Sequence, residues 1–384
     1  MPTSLSAAIA TDAAGGMRMQ FNWRRPAPPP IAADFGASCI RMLQLSSDGD
    51  AIAAAAEETV GSDIAFDSEM HLARTSDMVG RMAADPAWSG KRVVASMPAS
   101  IVTMTHLRLN SGEDLDTAIH ARVQDLGANP MIRSIDVSSP WKTGRGGREL
   151  LCIAMPREVV LRYVAMLHGH GLEVTGVFSP ASMLLRAFRH VNRRSSDEDS
   201  ATMYVDLEPS NVTMAFGHGT SLVAARRIAA STAIAAGAPP RTEATEPAHE
   251  SRHAMHATDV LTAINRRQQQ IPPTMPAIPA AAEPPAAAID DLCEELRMGI
   301  RQYQSLSGQT PIGRIVFTGE GATAAGPCRA IARTLQLPAQ IGDPLARWDA
   351  SSTSIEIQDW SLQVRPQWAI AAGLVATECE DTGA

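Results

Sequence analysis

Two stretches of the sequence decide its fold: IAADFG at residues 31–36 and MYVDLEPSN at residues 203–211. Each is a short apolar run that reaches an aspartate, Asp34 or Asp206, and then a turn. After the turn, each stretch continues as an alternating segment, a second turn and a returning strand. The same order of strand, turn, strand, turn and strand therefore occurs twice, which predicts an internal duplication.

The overall composition excludes several classes of protein. A chain of 384 residues with 45% hydrophobic residues can bury a sizeable core, and a net charge of −8 predicts no nucleic-acid partner. The five cysteines contain no C-x-x-C pair, and neither His168 with His170 nor His253 with His256 has further ligands nearby, so we predict no zinc. There is no apolar run of about 18 residues and no secretory signal, which predicts a cytoplasmic protein.

Composition also marks two segments that cannot form a packed core. Residues 1–30 are rich in Ala, Thr, Gly and Pro, which predicts a disordered tail. Residues 238–288 are rich in Pro and Ala and have almost no large apolar side chains, so burial cannot offset the entropy lost on ordering them. Elsewhere strands and helices alternate, and the chain closes with an amphipathic helix at 289–306, a buried strand at 314–318 and a helix at 368–375.

Three of the turns have the residues that nucleotide chemistry needs. Glycine lets a backbone N–H approach a phosphate closely, and an aspartate at a strand end can hold Mg²⁺ through water. Asp34, Gly36 and Ser38 fit this description in the first turn, and Asp206 leads the second. The third turn, GEG at residues 319–321, follows the late buried strand. The three turns together are more specific than any one of them alone.

The order of these turns resembles the actin, Hsp70 and sugar-kinase superfamily, which has a phosphate-1 loop, a phosphate-2 loop and an adenosine loop. Within it, the chain is most similar to the PilM-like proteins of type IV pilus assembly and to their relative FtsA. The similarity covers residues 31–376 apart from the Pro/Ala stretch. Beyond the loops, it rests on residues 93–98, 154–160, 292–307, 314–344 and 368–374.

The resemblance implies an actin-like, two-lobed α/β fold with duplicated ribonuclease-H-like subdomains and a small α/β insert. The implied first lobe is built from residues 31–89, 173–199 and 346–384. The insert would span residues 90–172, and the second lobe would span residues 200–345 with the Pro/Ala stretch inside it.

The resemblance also implies a cleft between the lobes that binds ATP with Mg²⁺. The residues facing phosphate and metal would be Asp34, Gly36, Ser38, Arg41, Asp206, Ser210 and Asn211. Asp34 and Asp206 would hold the Mg²⁺ through the nucleotide, and Gly319 and Gly321 would lie against adenosine. No residue is assigned a catalytic role.

Four residues depart from the pattern of the resembled proteins. Glu208 stands where the phosphate-2 turn of relatives has glycine, and Pro209 removes an N–H. Glu320 replaces the middle glycine of the adenosine loop, and Ser179 stands where many relatives have a carboxylate near the metal. Each of the two added carboxylates would repel a triphosphate by about 1 kcal/mol or more at about 4–6 Å. We therefore predict that binding of ATP and Mg²⁺ is weak or absent and that turnover is negligible.

A second pattern at the third turn is typical of a different cofactor. Gly319-x-Gly321-x-x-Ala324 after a strand matches the dinucleotide pattern, and Asp343 stands further along. That pattern needs a helix that begins at the turn, whereas Pro327 predicts that the helix begins there instead. We therefore predict no NAD or FAD site.

The resemblance implies a scaffold of a type IV pilus or related secretion machine, held on the cytoplasmic face of the inner membrane by its partners. In PilM-like proteins, a groove between the first subdomain and the insert binds the cytoplasmic N-terminal peptide of PilN. A PilN-like partner is therefore implied here, and other platform components and self-association stay open. The alternative is an active actin-like ATPase whose cycle drives pilus assembly or polymerisation.

Overall fold

The computed structural model describes most of the chain outside the Pro/Ala stretch. The described residues are 7–11, 17–21, 27–36, 38–60, 68–110, 112–123, 126, 129–137, 147–191, 200–219, 221–229, 286–306, 310–349 and 364–381. Of the segment 238–288, which we predicted to be disordered, all but the last three residues lie outside the described ranges.

Strands and helices alternate through the described ranges. The strands are, in chain order, β1 (Ala7–Thr11), β2 (Met17–Phe21), β3 (Ile31–Phe35), β4 (Cys39–Leu45), β5 (Ile52–Thr59), β6 (Arg92–Ser96), β7 (Thr103–Asn110), β8 (Met131–Asp136), β9 (Gly147–Met155), β10 (Glu173–Phe178), β11 (Ala201–Glu208), β12 (Asn211–His218), β13 (Ser221–Ala229), β14 (Ile312–Thr318) and β15 (Ala339–Ile341). The α-helices are α1 (Glu69–Ala83), α2 (Leu115–Val123), α3 (Arg157–Gly169), α4 (Pro180–Ala187), α5 (Ala286–Leu306), α6 (Ala325–Leu335) and α7 (Ala369–Asp381).

Two five-stranded sheets form the centres of the two lobes. The strand order is β10-β6-β3-β4-β5 in the first sheet and β13-β12-β11-β14-β15 in the second. In the first sheet β3, β4 and β5 form an antiparallel meander, and β6 and β10 add in parallel beside β3. In the second sheet β11, β12 and β13 form the meander, and β14 and β15 add in parallel beside β11. The two sheets therefore share one topology, as the two Asp-led stretches predict.

Helices α4 and α7 form a layer between the two sheets. α7 packs on β3, β4 and β6, α4 packs on β11, β12 and β13, and the two helices pack on each other. Gly373 permits this close packing, because a Cβ at that position would lie 2.1 Å from the carbonyl oxygen of Met183 in α4. Phe188 follows α4 and stacks on Tyr204 of β11 with ring centroids 5.8 Å apart. This helical layer is the main apolar connection between the lobes.

Other helices cover the outer faces of the sheets. On the first sheet, Phe35 of β3 packs edge-on against Tyr163 of α3, with ring centroids 5.0 Å apart. On the second sheet, Phe216 of β12 stacks on Tyr303 of α5 at 4.5 Å. Helix, sheet, helix, sheet and helix therefore follow one another through the molecule, so that both faces of both sheets are buried.

The insert is a small antiparallel sheet in the order β7-β9-β8, with α2 packed on β7. This sheet spans residues 103–155 and is shorter than the predicted insert at 90–172, because β6 is an inner strand of the first sheet and α3 packs on α1. An apolar run identifies a strand but not the sheet that it joins. β8 also begins at Met131, whereas the sequence predicts a weak strand near residues 135–137. The other predicted domain bounds stay predictions.

Two further findings concern the N-terminal segment and the membrane. β1 and β2 pair as an antiparallel two-stranded sheet within residues 1–30, which we predicted to be disordered. The alternating sequence of β2, MRMQF, is a strand pattern that the overall composition of the tail concealed.

Of the helices in the described ranges, none combines the length and the apolar character that crossing a bilayer requires.

Candidate functional site

A row of polar side chains crosses the inner face of the first sheet. Asp34 of β3 lies opposite Ser96 of β6 and opposite Arg41 of β4. Arg41 in turn lies opposite Glu57 of β5. Residues paired across adjacent strands point to the same face of a sheet, so the row Ser96, Asp34, Arg41 and Glu57 faces one direction.

The second sheet presents a matching row. Asp206 of β11 lies opposite Thr213 of β12 on one side and opposite Thr318 of β14 on the other. The Thr318 hydroxyl donates a hydrogen bond of 2.8 Å to Asp206 Oδ1. Tyr204 stands two residues before Asp206 and packs on Phe188 beside α4. Because strand side chains alternate, Asp206 shares the inner face with Tyr204. The two Asp-led rows therefore face each other across a cleft, beyond the helical layer.

Arg41 occupies the centre of this cleft. Its side chain is fully buried, and its Nε donates to Glu57 Oε1 at 3.1 Å within the first sheet. Its Nη2 donates to Glu320 Oε1 at 2.6 Å in the second lobe. Its Nη1 lies 3.9 Å from Asp34 Oδ2. One guanidinium thus contacts carboxylates from both lobes.

The carboxyl groups of the cleft exceed its positive charge. Burial raises the pKa of Asp34 to about 7, although the Arg41 guanidinium lowers it, and the neighbouring carboxylates of Asp206 and Glu320 raise it further. Burial also raises the pKa of Asp206 to about 6, against the hydrogen bond from Thr318. Burial raises the pKa of Glu208 well above its ordinary value as well. Close to neutral pH the cleft therefore holds protons rather than the full set of negative charges.

The glycines of the predicted nucleotide loops have structural tasks. The Gly36 N–H donates to the Cys39 carbonyl oxygen at 2.9 Å, which closes the turn between β3 and β4. The Gly319 N–H donates to the Pro366 carbonyl oxygen at 3.1 Å. Gly319 has a φ of +83°, and a Cβ there would lie 2.5 Å from the carbonyl oxygen of Leu207. A Cβ on Gly321 would lie 2.9 Å from the Cβ of Leu207. Both glycines are therefore required by the approach of this turn to β11.

The other predicted residues stand in the first two turns, except for Ser179, which lines a separate concave surface beside the insert. Ser38 precedes β4, and within the described part of the chain its buried hydroxyl has no hydrogen-bond partner. Ser210 lies in the turn between β11 and β12, and the Asn211 side chain donates to the Ser210 hydroxyl at 3.3 Å. Ser179 caps α4, because its hydroxyl accepts from the Ser182 N–H at 3.4 Å. The sequence analysis missed Glu57, which the pairing of β4 with β5 places beside Arg41.

Most of the groups that could hold Mg-ATP in the cleft already have partners within the protein. The amides of Gly36 and Gly319 are already hydrogen-bonded within the protein, and the Arg41 guanidinium is bound to Glu57 and Glu320. The side chain of Glu208 approaches Gly36, since a Cβ built on that glycine would lie 3.6 Å from Glu208 Oε2. Among the described side chains in and beside the two rows, the donors without a hydrogen-bond partner are the hydroxyls of Ser38, Ser96 and Thr213 and Arg41 Nη1. These residues do not fit a tightly held triphosphate.

One set of side chains has the spacing of metal ligands. The ligand atoms of Cys39, Glu57 and Glu320 all lie within 4.8 Å of one another. Both carboxylates of this set already bind the Arg41 guanidinium, so a cationic group neutralises them. Burial also raises the pKa of the Cys39 thiol far above its ordinary value, which opposes the thiolate form that metal binding needs.

A second concave surface lies between the insert and the first lobe. It has a volume of about 520 Å³ and is bounded by β8 and β9 on one side and by the end of β10 and the start of α4 on the other. Its walls include Ile132, Ile153 and Phe178, and Arg133 and Arg186 add positive charge. β8 and β10 are the edge strands of their sheets in the described part of the chain. We call this surface the edge groove.

The third turn does not have the geometry of a dinucleotide site. After β14 comes a short 3₁₀ turn at Glu320–Thr323, and α6 begins only at Ala325. A dinucleotide turn would place the helix N-terminus directly at the glycines. The helix begins two residues before Pro327, where we predicted its start, and the absence of an NAD or FAD site stays a prediction.

The fold is similar to that of solved structures, although the sequence matches no known family. No family model matches the sequence, and no curated protein matches it. Among solved structures, a chain of the PilM-PilN type IV pilus biogenesis complex has a TM-score of 0.67 and 14% identity, with 92% of this chain and 99% of that chain covered. The predicted actin-like, two-lobed α/β fold, similar to that of PilM, is therefore confirmed.

Two more distant solved structures also match over most of the chain. One is the ethanolamine utilization protein EutJ from Carboxydothermus hydrogenoformans, with 11% identity, a TM-score of 0.44, and 91% of this chain and 90% of that chain covered. The other is MreB 5 of Spiroplasma citri bound to AMPPNP, with 9% identity, a TM-score of 0.43, and 92% and 97% covered.

Proposed function

We propose that this protein is an adaptor of a type IV pilus or related secretion assembly, and that it binds a cytoplasmic peptide of a PilN-like inner-membrane protein. The observation that carries this proposal is the edge groove. It lies between the insert and the first lobe, in a chain that shares the fold of a subunit of a PilM-PilN complex. The peptide would hold the protein at the membrane through its partner.

The edge groove has the chemistry of a site for an extended peptide. An edge strand offers backbone N–H and C=O groups that can pair with an added strand, while alternate side chains of the peptide enter pockets beside it. Here β8 and β10 each supply such an edge. Ile132, Ile153 and Phe178 supply apolar walls, and Arg133 with Arg186 favours a peptide that also has an acidic group.

Replacing Met131 by aspartate tests this assignment. Met131 lines the groove and is 40% exposed, so the change should leave the fold intact but put a charge on the apolar wall. We expect at least about tenfold weaker binding of a synthetic peptide with the cytoplasmic N-terminal residues of the PilN-like protein from the same organism, measured by fluorescence anisotropy.

Met298→Asp is the matched control, because Met298 is 38% exposed on α5 and lies away from the groove. The control should bind the peptide as the unmodified protein does. Equal affinities for both variants, or no binding by the unmodified protein at about 0.1 mM peptide, would contradict the proposal.

We also propose that the cleft around Arg41 binds Mg-ATP weakly and hydrolyses it negligibly, so the ATPase alternative is not favoured. Glu208 and Glu320 add carboxyl groups to the cleft, and the Gly36 and Gly319 amides are engaged within the protein. If nucleotide enters, Ser38 and Arg41 Nη1 would hold the phosphates and Asp34 and Asp206 the Mg²⁺, as the resemblance implies. The bound Mg²⁺ would supply charge neutralisation between those carboxylates and the phosphates.

A further inference from the structure

The two lobes are joined in two different ways. The helical layer of α4 and α7 is an apolar contact that includes the close approach of Gly373 to Met183. At the cleft, the bond from Arg41 to Glu320 joins residues 279 positions apart in the sequence. The first contact is continuous packing, whereas the second is a charge-assisted pair between the row of the first sheet and the turn after β14.

Both partners of this pair are held in place by fixed backbone: Arg41 by the first sheet, and the turn of Glu320 by β11 and by Pro366, which lies in the implied first lobe. Arg41 stands in an inner strand of the first sheet and is oriented by the hydrogen bond from its Nε to Glu57. Glu320 stands in the turn whose glycines rest on Leu207 of β11 and whose first amide is bonded to Pro366. The pair is therefore built on rigid elements and does not depend on two free side chains finding each other.

Burial strengthens the electrostatic attraction between Arg41 and Glu320. The Arg41 side chain is fully buried and the Glu320 side chain is 21% exposed, so solvent screens the contact only in part. Removing the Glu320 carboxylate would leave the Arg41 guanidinium with Glu57 and the more distant Asp34 as its charged neighbours in the first lobe. Hydration of the guanidinium would then favour a wider spacing of the two lobes at the cleft.

We propose that Arg41 is an internal clamp that holds the two lobes together across the cleft without any bound nucleotide. The guanidinium contacts both lobes at the position where the fold would otherwise receive a ligand that bridges them. The relative orientation of the lobes is then encoded by the chain itself and does not follow nucleotide concentration. This inference rests on the cleft and the fold and is independent of the peptide proposed for the edge groove.

The clamp is tested by measuring the distance between the lobes. Spin labels at cysteines replacing the exposed Ala73 of α1 and Arg329 of α6, in a Cys379→Ser background, report one distance distribution by pulsed electron paramagnetic resonance. In the otherwise unmodified protein we expect one narrow distribution that is the same with and without millimolar Mg-ATP. Glu320→Ala should broaden it and move it to longer distances by several ångströms.

Two further variants make the result decisive. Glu294→Ala removes an exposed glutamate that pairs with Arg297 within α5, so the distribution should not change. Glu320→Gln keeps an acceptor but loses the charge, and it should broaden the distribution less than Glu320→Ala. If circular dichroism shows that Glu320→Ala has lost its fold, Glu320→Gln alone decides. The proposal would be overturned if a folded Glu320 variant kept the distance distribution of the protein with Glu320. It would also be overturned if Mg-ATP shifted the distance distribution of the protein that retains Glu320.

Discussion

Arg41 is surrounded by more carboxyl groups than one guanidinium can neutralise. The carboxyl groups near it are those of Asp34, Glu57, Asp206, Glu208 and Glu320. Burial raises the pKa of Asp34, Asp206 and Glu208, and repulsion from neighbouring carboxylates adds to this effect. Some of these carboxyl groups therefore remain protonated in the folded protein at a pH at which they would be ionised in the unfolded chain, so the free energy of unfolding depends on pH.

Replacing Asp34 by asparagine should remove part of this pH dependence. The folded-state pKa of about 7 lies above the ordinary value of 3.8, so the folded protein binds more protons than the unfolded chain between these values. The contribution of Asp34 to the free energy of unfolding is therefore highest below about pH 4 and falls as the pH rises to about 7. Asp34→Asn should be more stable than the unmodified protein at pH 8, by at most ~4 kcal/mol, and show little advantage at pH 4.

Urea unfolding at pH 4, 6 and 8 measures this effect. Asp291→Asn, which changes an exposed carboxylate of α5, serves as the control and should follow the unmodified protein at every pH. A loss of stability in Asp34→Asn at pH 8 would mean that the attraction of Asp34 to Arg41 outweighs the burial of its charge.

Sequence reasoning reached some of the cleft residues and not others. Asp34 and Asp206 could be predicted because strand-end aspartates before turns form a local pattern. Glu208 and Glu320 stand out in the sequence as departures from the pattern of the resembled proteins, but no local pattern shows that Glu320 binds Arg41. That contact depends on how two lobes approach each other, and Glu57 depends on the register of a hairpin. Neither property is encoded by local spacing.

Among the secondary-structure elements, the pair α4 and α7 has most influence on the architecture. Both helices could be predicted from apolar runs near residues 181–191 and 368–375, yet their contact could not. Residues 369–376 are buried throughout, so no polar face shows which neighbours they have. Gly373 is the residue that fixes the contact, because it brings the α7 backbone against Met183.

Gly373→Ala should therefore destabilise the protein severely. The new Cβ would lie 2.1 Å from a backbone oxygen, so the two helices must separate, at a cost of ~3 kcal/mol or more. Gly169→Ala is the matched control at the end of α3, where an added Cβ meets no atom within 4 Å, and it should change stability by less than ~1 kcal/mol. Thermal unfolding of the two variants measures the difference. Similar melting temperatures would show that the α4 and α7 contact is not close.

The whole molecule combines a duplicated architecture with a cleft that its own side chains fill. The duplication was predictable because both halves repeat one local order of strands and turns. The sequence shows the two glutamates that are added to the cleft. It does not show that the Gly36 and Gly319 amides are hydrogen-bonded within the protein, so the filling of the cleft was only partly predictable. The consequence at this scale is a prediction for nucleotide affinity.

Calorimetric titration with Mg-ATP should give a dissociation constant weaker than about 0.1 mM. The double variant Glu208→Gly/Glu320→Gly removes the side chain that approaches Gly36 and the one that holds Arg41 Nη2. It should bind Mg-ATP at least about tenfold more tightly, because the guanidinium is then free to bind a phosphate. Micromolar affinity or steady turnover in the unmodified protein would contradict the prediction. A variant with no gain would show that the engaged amides, not the carboxylates, limit binding.

The contact of Gly319 with Leu207 has a consequence for how such chains are recognised. The glycine is demanded by the neighbouring strand, whatever the cleft contains, because any larger residue would collide with the Leu207 backbone. A descendant that stopped using nucleotide would therefore remain under pressure to retain the residue. In this chain the contact with Leu207 alone accounts for the glycine, so its presence in a sequence is not by itself evidence that the cleft binds a nucleotide.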